Sequence, residues 1–260
     1  MQKFTLSGTS LDVSKIGLGT ASLHHSHLSN RRRILKAALD SGITHFDTAR
    51  LYGNGIAETT IGNYISRSTR QTLTIATKVG FEVSRAQQLF PIGSKIFSKA
   101  CGFPQQKANY SIESCERSLS ASLKALKSEW VDILFLHEPL LASRSQIDRL
   151  LPWFRSQQVQ GKARFLGLAG DNLVGSMLLD EVGSEFNVIQ TNADGSLPLT
   201  TINQKSHIQY GLFRCLPSEL KDEAWTKICN QNFAGMVLYS SRNSQRIIDL
   251  GNCIKSMDMR

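Results

Sequence analysis

His45-Phe46-Asp47-Thr48-Ala49-Arg50-Leu51-Tyr52-Gly53, followed by Glu58 and Gly62, decides the fold. A buried-type strand runs straight into a polar turn and presents a carboxylate and then a phenol, Asp47 and Tyr52. Two further strand-like runs end in a chemically capable residue: Leu73–Lys78 and Val131–His137. An Asp, a Tyr, a Lys and a His, each at or just past a strand's carboxyl end, is how a parallel barrel gathers a site at one face.

Working outward, short β-rich runs alternate with helical patterns. Strands are expected at Lys15–Thr20, Ile43–Asp47, Leu73–Lys78, Val131–His137, Ala163–Ala169, Asn187–Thr191, His207–Leu212 and Gly235–Ser240. Helices are expected near Asn30–Leu39 (with Ser29 as N-cap), Ala57–Ser66, Ser111–Leu126, Ser143–Gln157, Asn172–Leu179, Ser218–Cys229 and Ser244–Met257. Near-continuous apolar strands such as Ile133-Leu134-Phe135-Leu136 fit a sheet covered on both faces. Eight β→α repeats close a (β/α)₈ barrel, and 260 residues suffice for one such domain. An open dinucleotide-binding sheet is the competitor, but no GxGxxG follows the first strand. The expectation is a single α/β TIM barrel over residues 1–260, with a long inserted connection at about 80–110.

Composition narrows the setting. Hydrophobic content of 41% with 20% charged residues is ordinary for a globular chain. A formal charge of +9 favours anionic partners without choosing among them. Five cysteines, an odd number with no CxxC spacing, argue against a disulfide framework or a zinc knuckle and for a reducing compartment. Neither a signal-peptide run nor a bilayer-spanning stretch is legible, so a cytoplasmic protein is expected, with no membrane partner.

The pattern resembles the aldo-keto reductase family. The segments that carry the resemblance are Gly17-Leu18-Gly19-Thr20-Ala21, Phe46-Asp47-Thr48-Ala49 with Tyr52-Gly53, Ala76-Thr77-Lys78, Leu136-His137, Gly161-Lys162 before Leu166-Gly167, Gln190, and Ser240-Ser241-Arg242-Asn243 with Arg246. The resemblance implies hydride transfer between NADP(H) and a small aldehyde, ketone or sugar, with Tyr52 as acid/base. A free tyrosine has a pKa near ~10, and Lys78 is expected to lower it by stabilising the phenolate. Asp47 is expected to pair with Lys78, and His137 to hydrogen-bond the carbonyl oxygen as charge builds on it. Glu58 is expected to be structural.

The resemblance also implies a cofactor site: Gly19, Thr20 and Asp47 at the first two strand ends, Gln190 on the nicotinamide carboxamide, Tyr210 stacked on its ring, and Gly211 and Leu212 beside it. Ser240, Ser241, Arg242 and Arg246 stand at a helix start, already suited to phosphate. The two guanidiniums favour NADP(H) over NAD(H) through the 2′-phosphate.

There are departures. The family's Ser-Asn after the fifth strand is replaced by Ala169-Gly170, with Asp171-Asn172 following. The long connection interleaves Phe90, Phe97 and Phe103 with Arg85, Lys95, Lys99 and Lys107, and reads as a pocket wall or lid. His24, His25 and His27 cluster without a carboxylate or thiolate, so no metal is expected. Nucleic acid is not an expected partner. The competing expectation is a cofactor-binding barrel serving as a sensor or interaction subunit with little turnover.

Overall fold

The computed structural model describes residues 3–83, 107–174, 176–193, 201–202, 205–215, 228 and 235–258. A hairpin of β1 (Lys3–Thr5) and β2 (Asp12–Ser14) comes first. Eight parallel strands follow: β3 (Ile16–Gly19), β4 (His45–Asp47), β5 (Thr74–Val79), β6 (Val131–His137), β7 (Ala163–Ala169), β8 (Val188–Asn192), β10 (Lys205–Tyr210) and β11 (Met236–Tyr239). Each pairs with the next, and β11 returns to β3, so the sheet closes as the sequence pattern predicts. A two-residue strand, β9 (Thr201–Ile202), pairs antiparallel with the start of β10. The barrel is thus a single closed domain of eight parallel strands with helices between them.

Strand parity sorts the side chains. Residues two apart on a strand share a face, so Ile133, Phe135 and His137 point one way while Leu134 and Leu136 point the other. Ile133 and Phe135 join Ala76, Val188, Ile208, Met236 and Leu238 in a core inside the barrel. Leu134 and Leu136 belong to the larger core between strands and helices. The alternation that fills the lumen with Ile133 and Phe135 therefore aims His137 into its upper end. Lys78, two beyond Ala76, and Gln190, two beyond Val188, follow the same rule.

The lower end of the lumen is plugged by the hairpin, whose Leu6, Leu11 and Val13 are buried in the inner core. Asn187 Nδ2 donates to the Gly8 carbonyl at 3.3 Å and ties the plug to the start of β8. Sequence periodicity did not anticipate this hairpin, because three-residue strands are too short to display an alternation.

Among the described residues, the helices around the barrel are α1 (Leu28–Asp40), α2 (Ile56–Tyr64), α3 (Arg67–Arg70), α4 (Ile112–Leu126), α5 (Arg144–Val159), α6 (Met177–Val182), α7 (Leu212–Cys215) and α8 (Ser244–Asp258). Side-chain caps fix several of the starts. Ser111 accepts from the Ser114 N–H, and Ser143 with Gln146 forms a capping box. Two expectations are corrected. Helix α1 begins two residues earlier than expected, with His27 rather than Ser29 at its N-cap. Helix α6 starts at Met177, not Asn172, because Asn172 adopts a left-handed conformation (φ 55°) that no helix interior accepts. The helix expected at Ser218–Cys229, apart from the helical Ile228, and residues 84–106 of the long connection lie outside the described residues.

The feet of that connection are described. Phe81 and Ala108 form an antiparallel bridge, with the Glu82 N–H on the Lys107 carbonyl (3.1 Å) and the Asn109 N–H on the Gly80 carbonyl (2.8 Å). The chain therefore leaves β5 and returns to α4 at one point on the upper rim.

Candidate active site

Asp47 ends β4, and its carboxylate is buried. The Lys78 Nζ donates to both Asp47 oxygens at 2.7 Å and to the Thr48 carbonyl at 3.0 Å, so all three ammonium protons are used. Burial lowers the Lys78 pKa, and the Asp47 charge opposes that shift. Gln190 Nε2 also donates to Asp47 Oδ1, at 2.8 Å. One carboxylate thus holds the ends of β5 and β8 together.

Tyr52 follows in a turn built for it. Gly53 (φ 62°), Asn54 (φ 56°) and Gly55 (φ 90°) are all left-handed, reversing the chain before α2. A Cβ on Gly53 would lie 2.3 Å from that of His24, and one on Gly55 would lie 2.0 Å from Arg50 Nη1. Arg50 Nη1 in turn bonds Glu58 Oε2 at 3.1 Å, and Thr77 Oγ1 donates to Glu58 Oε1 at 2.8 Å. Glu58 is therefore a fully buried strut between turn and barrel, in the structural position expected of it.

The Lys78 ammonium lies 5.0 Å from the centre of the Tyr52 ring, over its face. The expected lowering of the Tyr52 pKa is not what the structure gives. Burial first, and then the Asp47 and Glu138 carboxylates, push it well above its ordinary value. The physical reason is burial, which disfavours the charged phenolate and leaves the phenol protonated at rest. His137 is held near a pKa of about 3 by burial and by the Lys78 charge, so its imidazole is neutral at physiological pH.

Asp47, Tyr52, Lys78 and His137 all line one cavity of about 750 Å³ at the upper end of the barrel. Gly19, Gln190, Tyr210, Gly211, Ser240 and Arg246 line it too. Thr20 and Leu212 do not; both are buried in the wall, Thr20 through a bond from its Oγ1 to the Asp47 carbonyl at 2.9 Å. The Tyr210 hydroxyl is committed to the Asp171 carboxylate. Ala169 and Gly170 face the cavity without a side-chain donor, while Asn172 is exposed and does not line it. Sequence reading missed Ser22, Phe213, Arg214 and Tyr239, which complete the walls. Phe213 and Arg214 directly follow the Gly211–Leu212 pair, which was the available signal.

The cavity opens into a groove of about 830 Å³ that shares Ser22, Tyr239, Ser240 and Arg246 with it. Ser241 and Arg242 line this groove, joined across it by Arg33 from α1, and no carboxylate lines it among the described residues. Asn30 Nδ2 donates to the Arg242 carbonyl at 2.8 Å and fixes one wall against the other. Asn243 Oδ1 accepts from the Gln245 N–H at 2.9 Å and caps α8. Ser240 Oγ donates to the Gly19 carbonyl at 2.8 Å, where a Cβ on Gly19 would strike that same oxygen at 2.4 Å. Among the described residues, no group of three His, Cys, Asp or Glu side chains has the placement to hold a metal ion.

These features agree with known proteins at two levels. In sequence, the chain is 29% identical over 190 residues to the uncharacterized oxidoreductase YrpG of Bacillus subtilis, covering 67% of this chain and 52% of that one. It is 27% identical over 170 residues to L-galactose dehydrogenase of Arabidopsis thaliana, covering 64% and 47%. The aligned part thus spans about half the length of these curated relatives. In structure, it superposes on the aldo-keto reductase AKR11C1 of Bacillus halodurans, solved in its holo form, with a TM-score of 0.76 at 20% identity, covering 98% of this chain and 91% of that one. The glycerol dehydrogenase AKR11B4 of Gluconobacter oxydans gives a TM-score of 0.74 at 17% identity over 99% and 94%. The model of the Aldo/keto reductase family matches residues 15–190, more than half of the chain. The chain belongs to the aldo/keto reductase family.

Proposed function

We propose that the chain is an NADP(H)-dependent oxidoreductase that interconverts a small aldehyde, ketone or sugar with its alcohol. The observation that carries this reading is the Lys78–Asp47 pair, 2.7 Å apart, set in a cavity whose walls also bear Tyr52 and His137. The chemistry of the lining fits the cofactor: amide and hydroxyl groups of Gln190 and Ser240 at the inner end, guanidiniums of Arg242 and Arg246 at the outer end, in a groove with no carboxylate among its described lining. When bound, a reduced nicotinamide supplies the hydride that a carbonyl carbon accepts.

The chain's own residues would manage the oxygen. Tyr52, protonated at rest, is the proton donor to the developing alkoxide. The phenolate left behind lies under the Lys78 ammonium, which stabilises it only once it forms. His137, neutral, donates a hydrogen bond to the same oxygen and aligns the carbonyl. In the alcohol-oxidising direction Tyr52 and Lys78 run the same transfer backwards. Arg242 and Arg246 would hold the 2′-phosphate, with Arg33 facing them across the groove.

The alternative, a cofactor-binding sensor or interaction subunit with little turnover, draws its support from Ala169 and Gly170, which offer the carboxamide no side-chain partner where the family has Ser-Asn. NADPH oxidation, followed by absorbance against a panel of aldehydes, ketones and sugars, separates the two. Turnover that falls by about 10²–10⁴-fold in Tyr52→Phe, with NADPH binding intact, is the expected result. Tight NADPH binding without turnover of any panel member would favour the sensor.

A further inference from the structure

His137 is the one proposed site residue whose backbone leads directly into an unfavourable conformation. Glu138, immediately after it, is left-handed (φ 48°, ψ 56°), a region that residues with a Cβ rarely occupy. Something has to hold that turn. Tyr110, buried at the foot of the long connection, reaches across with its hydroxyl 3.0 Å from the His137 carbonyl and 2.6 Å from the Glu138 carbonyl. These two carbonyl oxygens share its single proton.

The reach exists because position 80 is glycine. Gly80 has φ 120°, and a Cβ there would lie 2.8 Å from the Tyr110 ring and 3.0 Å from the His137 carbonyl. The ring therefore crosses the end of β5 in the space a side chain would fill. From the other foot, the Phe81 ring meets the His137 imidazole edge to face, with centroids 5.2 Å apart. The Phe81–Ala108 bridge locks the two feet together. Imidazole and backbone of His137 are thus gripped from one place, by an aromatic pair that belongs to neither the lumen core nor the cavity wall.

We propose that Tyr110 is a positioning residue for His137. Its hydroxyl fixes the left-handed turn at Glu138, and through it the direction in which the imidazole enters the cavity. Tyr110 touches neither substrate nor cofactor; it acts through His137. This rests on the oxidoreductase reading for its kinetic consequence, although not for its structural one.

The test is Tyr110→Phe, which keeps the ring against Gly80 and removes only the hydroxyl. The expected result is a kcat about 10-fold lower with the NADPH dissociation constant unchanged within about twofold. In a His137→Gln background the same substitution should cost less than about twofold, because the residue it positions is gone. The imidazole of His137, followed by NMR in histidine-labelled protein, should titrate higher in Tyr110→Phe than in the parent, as the loosened turn admits water. A kcat within about twofold of the parent overturns the proposal, and so does an equal loss in the His137→Gln background. If the parent turns over nothing, the oxidoreductase reading fails and the titration decides: a His137 that titrates alike in both proteins overturns the role of Tyr110.

Discussion

The barrel buries a carboxylate–cation group at each end, and the two are finished differently. At the amino ends of the strands, Asp132 takes the Ile75 N–H at 2.8 Å and faces Arg70 at 2.9 Å and Arg164 at 3.0 Å. Arg70 is then used up on the Ser128 hydroxyl and on the Leu73 and Trp130 carbonyls, with its guanidinium 4.5 Å from the centre of the Trp130 ring. This group lines neither the upper cavity nor the groove that opens from it. At the carboxyl ends, Asp47 and Lys78 are as closely paired, yet both face a cavity of about 750 Å³. Paired burial alone does not mark a functional site. The discriminating feature is a satisfied charge pair with one side left open, because desolvated charge with an open face can act on whatever enters.

The largest effect expected of this contrast is on stability. Asp132→Ala strands Arg70 in a buried position and should cost about 3–5 kcal/mol, read as a lower denaturant midpoint, while turnover per folded molecule is retained. Asp47→Ala should abolish turnover as well as weaken the fold. If Asp132→Ala proved silent in unfolding, the lower group would be hydrated and the contrast lost.

A smaller effect concerns acid. The His45 pKa is held at about 4 by burial, where its Nδ1 pairs with Thr74 Oγ1 at 2.8 Å, and that of His137 at about 3. Both values lie below the unfolded value of about 6.5, so the unfolded chain binds more protons as the pH falls. Stability is full above about pH 6.5 and declines below it, the decline ending near pH 4 for His45 and near pH 3 for His137. At pH 5 each imidazole costs about 2 kcal/mol. The thermal midpoint should drop between pH 7 and pH 5, and His45→Gln should remove about half of that drop. A midpoint flat over this range would mean that water already reaches both rings.

The smallest effect lies at the outer end of the groove. Arg246→Ala should weaken NADPH binding by about 1.5–3 kcal/mol and leave NADH binding nearly unchanged, measured by fluorescence titration. Equal losses for the two cofactors would remove the 2′-phosphate from the reading and leave Arg246 a general phosphate contact.

Much of this was legible in sequence, for a physical reason. A strand buried on both faces needs a near-continuous apolar run, and Ile133-Leu134-Phe135-Leu136 within Val131–His137 declares one. Once eight such runs are ordered in a barrel, parity alone sends Lys78, His137 and Gln190 into one lumen. What stayed hidden depends on contacts between distant segments. The plug carried by Leu6, Leu11 and Val13 has no periodicity of its own. The direction of the Tyr52 shift is set first by burial and then by the Asp47 and Glu138 carboxylates, which no spacing encodes. Tyr110 stands beside the Ser111 cap, in a position that reads as a helix lead-in and nothing more.

The bond from Ser240 to the Gly19 carbonyl sits on the seam where the last strand of the barrel meets the first. The groove straddles that seam, with Arg33 on one bank and Arg242 on the other. A molecule bound there clasps two segments some two hundred residues apart in the chain and works as a buckle on the closed ring. Its affinity is then linked by mass action to ring closure itself. Any loosening of the seam, however remote from the reacting atoms, would surface first as weaker retention of that molecule.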